Sequence, residues 1–236
     1  MRIHERTRPV LGALAVALLL TACGGGGSSG DSGSGGSGPA YPLQAGYKAL
    51  LTAGQSHALT VTGSCPGTAT FTATPAIAAT FESIPGSSSV NVLNGTLTNC
   101  TVGSLTINAT NYYDANGTPL GSVTPLVSYT AFASTPPPLP TSVRAGETGT
   151  IANLTVYTDS TKATVAGRVF LAYSVTPDTA STAFVTISSQ GYNGANVLVV
   201  TQLTRYRISA DGTLSLVDIS LVYSGTSANQ YLLTKV

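Results

Sequence analysis

Side chains able to do chemistry are sparse in this chain. Its 236 residues hold nine Asp and Glu, two His and three Cys, and charged residues of both signs make up only 8%. A Ser–His nucleophile would have to stand at Gly54-Gln55-Ser56-His57-Ala58, a faint echo of G-x-S-x-G. That elbow needs a sharp strand-to-helix turn in a parallel sheet, with the acid and the base arriving from elsewhere. Here Ser56 and His57 are adjacent and Ala58 replaces the last Gly, so the stretch reads as a polar loop before a strand. Asp114-Ala115-Asn116-Gly117 begins like a calcium loop but lacks the further carboxylate and the distal Glu, and reads as a turn. Asp159, Asp178 and Asp211 also fall in turn sequences, where Asp serves its own backbone. Glu82 and Glu147 are isolated. The reading is therefore of no catalytic residue, no metal site and no cofactor. Carboxylates brought together by folding are the one route left to hydrolysis.

Cysteine chemistry is the stronger signal. Leu20-Thr21-Ala22-Cys23 ends an apolar run and precedes Gly24-Gly25-Gly26-Gly27, the pattern of a lipobox. Arg2, Arg6 and Arg8 form a basic leader, and the eleven residues Val10 to Leu20 form an apolar segment. As a helix that segment would rise about 16 Å, short of the roughly 30 Å of a hydrocarbon core. Residues 1–22 thus read as a signal peptide, and the likeness to lipoprotein signals implies acyl chains on Cys23. More than one chain makes a stable anchor. Gly24 stands where an Asp would resemble an inner-membrane retention signal, which points to the outer membrane. Cys65 and Cys100 remain, an even pair in an exported chain, and read as a disulfide. Closing that loop of about 36 residues stabilises by roughly 3–4 kcal/mol on the chain-entropy account.

The elements that position these residues follow from composition. Thr and Val are abundant, helix formers are scarce, and 42% of the chain is hydrophobic, which indicates an all-β, antiparallel fold. Residues 23–40 are the lipidated cysteine and a flexible linker. Its Gly/Ser run, 24–38, spans roughly 20 Å as a coil. Residues 41–135 read as a disulfide-bridged, sandwich-like domain of short strands, with Asn94-Gly95 as a hairpin turn. Pro136-Pro137-Pro138-Leu139-Pro140 is a stiff connector. Residues 141–236 read as an antiparallel meander of longer strands, broken at Asp159–Lys162, Thr176–Asp178, Asn193-Gly194 and Asp211-Gly212. Neither half shows a helical pattern. The last break predicts a hairpin. With a two-residue turn Arg205 faces Asp218; with a three-residue loop and a Gly bulge Thr204 takes that place. Tyr112 and Tyr113, adjacent in a strand, must point to opposite faces.

Three segments carry a resemblance. Tyr112 to Gly121, Gly149 to Ser160, and Arg205-Tyr206-Arg207-Ile208 are similar to a group of uncharacterised proteobacterial envelope lipoproteins. The resemblance implies export to the cell envelope and transfers no activity or site residue.

These readings exclude a nucleic-acid partner, because no basic face exists. They leave a lipid-anchored envelope protein with a non-enzymatic structural or binding role. Its partners are the membrane, through lipid on Cys23, and an envelope protein. The alternatives are an envelope hydrolase using carboxylates, and an adhesion or assembly component acting through sheet edges.

Overall fold

The computed structural model describes residues 38–100, 103–125, 128–132, 134–224 and 229–236. The signal, Cys23 and the tether up to residue 37 lie outside the described residues. One helix, α1 (Leu43–Ala53), precedes β1 (Gln55–Gly63), β2 (Gly67–Ala73), β3 (Ile77–Phe81), β4 (Ile84–Leu97), β5 (Ser104–Asp114), β6 (Pro119–Thr124) and β7 (Ser128–Phe132). Then follow β8 (Thr148–Tyr157), β9 (Val165–Pro177), β10 (Thr182–Asn193), β11 (Leu198–Ser209), β12 (Leu214–Tyr223) and β13 (Gln230–Lys235). The fold is all-β and antiparallel, as the composition indicates.

The sheet closes on itself. From β4 to β13 each strand pairs with its chain neighbour, β13 returns to β1, and β1 pairs with β2. The ring shuts between β2 and β4, with Gly67 opposite Leu97 and Ala73 opposite Asn91. The other part of that β4 edge is taken by β3, with Ile77 opposite Ser88. So β2 and β3 lie end to end along one edge, and the result is a twelve-stranded barrel with β3 as an extra strand. The stretches on either side of the proline run do not form a sandwich-like domain (41–135) and a separate meander (141–236). They are two arcs of one ring, joined where β7 pairs with β8 and where β13 pairs with β1.

Strand alternation fills the barrel. Leu59 and Val61, Phe71, Leu93, Leu154, Leu171, Ile187, Ile219 and Leu233 belong to one buried core. Their chain neighbours point outward and are mostly Thr, Ser and Asn. Along these strands apolar side chains face inward and mostly polar ones outward, the opposite of the alternation in a lipid-facing barrel.

Helix α1 closes one end, where the sequence pattern predicts no helix. The signal is legible afterwards: Leu43, Gly46, Tyr47, Leu50 and Leu51 keep helical spacing, and all pack on the core or against its end. Gly46 abuts Gly212 in the β11–β12 turn, and Tyr47 and Lys48 meet Gly117 in the β5–β6 turn. Those turns come from opposite sides of the ring, so the helix spans the opening. Gln44 Nε2 donates to the Leu139 carbonyl, and Tyr41 bridges Val143, so the proline run is strapped across the same end. A Cβ on Gly46 would stand 1.9 Å from the Gly212 carbonyl oxygen. We expect Gly46→Ala to lift α1 off the barrel and to cost about 1–3 kcal/mol in urea unfolding, the usual range for overpacking. An unchanged midpoint would show that the helix is not seated there.

One turn assignment differs from expectation. Asn94-Gly95 is not a hairpin turn but lies inside β4, where Asn94 faces Thr70 on one side and Thr106 on the other. Pairing on both edges overrides the local turn preference. The hairpin instead turns at Glu82-Ser83, both at positive φ (50° and 67°), as a two-residue type I′ turn demands. The stretch from Val123 to Phe132 is divided between β6 and β7.

Candidate functional site

The residues singled out from the sequence are scattered by the barrel rather than gathered. Cys65 and Cys100 do meet as a disulfide, with Cα atoms 5.8 Å apart. Cys65 sits in the β1–β2 turn and Cys100 in the β4–β5 connection. Because β2 and β4 are neighbours in the ring, the bridge staples two adjoining turns at the end opposite α1.

Ser56 and His57 are consecutive residues of β1, so their side chains point to opposite faces and form no dyad. His57 Nε2 lies 3.2 Å from Gln55 Oε1. Partial burial, followed by the Lys235 charge, lowers its pKa. Asp114 Oδ1 accepts hydrogen bonds from the backbone N–H of Asn116 (2.8 Å) and Thr118 (2.7 Å), which makes it a turn carboxylate. Asp159 and Asp211 do the same for Thr161 and Thr213. Glu82 accepts from the Tyr129 hydroxyl and from Lys162. The Lys162 contact first, and then Tyr129, hold its pKa below the ordinary value. Glu147 precedes β8, with its backbone tied to Arg144 and Val175. Among the described residues no three of His, Cys, Asp and Glu come close enough to hold a metal.

Tyr112 and Tyr113 part as their positions require. Tyr113 points inward and is buried against the Tyr47 ring, centroids 6.1 Å apart. Burial drives its phenol pKa well above the ordinary value. Tyr112 points outward and stacks on Phe81 at 4.4 Å, with Tyr129 on Phe81 at 5.4 Å. Phe81 thus pins the β3–β4 hairpin against the outside of the barrel.

The densest chemical surface is the outer wall of β9, β10 and β11. Arg205 faces Asp218 as one of the two hairpin geometries requires, and the two side chains pair. The route is unexpected. Ile208 faces Leu214 and Tyr206 faces Leu216, the register of a three-residue loop, with Gly212 at φ 88°. A bulge beside Val217 then slips the ladder by one residue and restores Arg205 to Asp218. Next to it, Arg207 Nε donates to Asp178 Oδ2 at 2.7 Å. Hydrogen bonding from Thr182, then from Arg207, holds the Asp178 carboxyl below the ordinary range. Both guanidinium groups lie over the Phe184 ring, at 5.0 and 5.2 Å. Farther along the wall Arg168 covers Tyr192 at 4.3 Å and donates to Asn196. Between them Leu203 is exposed. Reading the sequence brings out Arg205, Arg207 and Asp218 but not Phe184, Tyr192 or Arg168, because their grouping depends on register across three strands.

The enclosed space beneath α1, between Tyr47, Gln55, Asn91 and Tyr113, amounts to about 10 Å³, room for a single water. No family model, no curated protein and no solved structure matches this chain.

Proposed function

We propose that this chain is a non-enzymatic binding module of the cell envelope, held to the outer membrane by lipid on Cys23 and presented in water at the end of the Gly/Ser tether. The observation that carries this reading is the contrast between a filled barrel and its outer wall. Buried apolar side chains pack the barrel core, the space beneath α1 holds about one water, and the described Asp side chains, with Glu82, serve turns or ion pairs. The wall around Phe184 groups Arg, aromatic and exposed aliphatic side chains, the composition found at the energetic centres of protein interfaces. Exposed ion pairs such as Arg205–Asp218 stabilise a fold by only about 0.2–1 kcal/mol, so stability alone does not account for this grouping. The partner is therefore an envelope protein, engaged through stacking and bidentate contacts with the guanidinium groups.

The test uses the full chain in its own envelope. A photoreactive side chain at Leu203 is expected to cross-link one envelope protein, and Phe184→Ala with Arg207→Ala to abolish that adduct while the barrel stays folded. An adduct indifferent to both substitutions would exclude the wall. Turnover of ester, glycan or peptide substrates that disappears on His57→Ala, or on loss of Glu82 or Glu147, would replace the reading with the hydrolase alternative.

A further inference from the structure

Barrel closure leaves one strand edge open. Among the described residues β3 pairs only with β4, and it stands last in the sheet order. The two-residue turn makes Phe81 and Ile84 a hydrogen-bonded pair, so Phe81, Ala79 and Ile77 direct their backbone groups at β4. Ala78 and Thr80 direct theirs the other way. No N–H or C=O of Ala78 or Thr80 has a backbone partner on that side among the described residues. Both residues are exposed, and so is Ile77, at 68%. Edges of this kind are normally blunted by Lys, by Pro, by a bulge or by a covering loop. The run Ile77-Ala78-Ala79-Thr80-Phe81 has no charge and no proline.

We propose that β3 is a self-association edge, and that two copies of this chain pair β3 to β3 antiparallel about a two-fold axis at Ala79. The inference stands on β3 alone and does not depend on the Phe184 wall. In that register Ala78 of each copy faces Thr80 of the other, and all four open N–H groups and all four open carbonyls across the two strands find partners as four hydrogen bonds. Only a register centred on residue 79 does this, because the open groups sit on residues 78 and 80. The same register places Ile77 opposite Phe81 of the second copy, on the face that already carries the Phe81 stack. The exposed isoleucine thus gains an aromatic neighbour. No like charges meet, because Glu82 falls opposite Ala76. The segment is self-complementary in hydrogen bonding, side-chain face and charge, which is why the occupant is a second copy. A two-fold contact of this type closes at two subunits.

Cysteine scanning of the full chain in envelope membranes tests the register. Directly opposed residues at a non-hydrogen-bonded position have Cα atoms about 4.5 Å apart, inside the range a disulfide spans. Ala79→Cys is therefore expected to give at least ten times more disulfide-linked homodimer, on treatment with copper–phenanthroline, than Ala78→Cys or Thr80→Cys. Those two place their Cα atoms more than about 7 Å from their own counterparts, beyond bridging distance. The parent chain sets the background. Thr80→Pro deletes an N–H that no bond within the barrel uses, and added to Ala79→Cys it is expected to bring dimer down to that background. Equal linking at all three positions, a maximum at 78 or 80, linking of the Ala79→Cys chain only to another protein, or dimer insensitive to Thr80→Pro would each overturn the proposal.

Discussion

Replacing Cys65 and Cys100 together by Ala is expected to lower the unfolding free energy by about 3–4 kcal/mol and to leave the barrel assembled. The bridge spans 35 positions of sequence. In the folded chain it joins turns that the β2–β4 ladder already holds together, with Gly67 opposite Leu97 beside it. Its main effect thus falls on the unfolded chain, where it removes the freedom of a long loop. For a chain of this size each kcal/mol shifts Tm by roughly 2–4 °C, so a fall of about 10 °C is expected. Urea unfolding of the oxidised parent and the double variant separates the causes. A steeper denaturant dependence in the variant reports a more open unfolded state. Equal midpoints would mean that residual structure closes this loop without the bridge. Loss of native strand signal before denaturant is added would mean that the bridge holds the barrel shut.

The same part of the molecule shows what the sequence discloses. The cysteine pair is legible because an even count in an exported chain has few uses. Alternation in stretches such as Thr68-Ala69-Thr70-Phe71-Thr72 is legible because period two is a local property. Ring closure is not local. It depends on β2 skipping β3 to meet β4, and on β13 returning to β1 across most of the chain. Local signals even mislead where two neighbours compete with them, as at Asn94-Gly95, whose turn preference yields to pairing on both sides of β4. α1 goes unseen because Gly46 and the short apolar stripe dilute its pattern, and its place is fixed by the turns it covers. The Arg205–Asp218 pair is legible to within one residue, and the bulge at Val217 decides that residue. The Phe184 wall needs β10 and β11 in register, with Asp178 brought up from the preceding turn, so no stretch of sequence displays it. The β3 edge is equally hidden, since an edge exists only once the rest of the sheet has closed.

The largest expected effect belongs to Cys23, which follows from the proposed anchoring. Cells supplied with a labelled fatty acid are expected to label this protein, and Cys23→Ser to abolish the label entirely. Acyl chains contribute about 0.8 kcal/mol per buried CH₂, so an anchor of several chains holds the protein on the membrane, whereas the unacylated protein has no equivalent. Outward rows such as Thr60, Thr68 and Thr96, side by side on β1, β2 and β4, are polar. They offer the bilayer no apolar band that could replace the lipid. Cys23→Ser should therefore move the protein from the membrane fraction into the soluble fraction or leave the signal uncut. The folded barrel, which begins well beyond the tether, should keep its unfolding midpoint. That last measurement separates loss of anchoring from loss of structure. Labelling that survives in Cys23→Ser, or a substituted protein that still sediments with membranes after its signal has been removed, would exclude the lipid anchor and with it the proposed address of the binding wall.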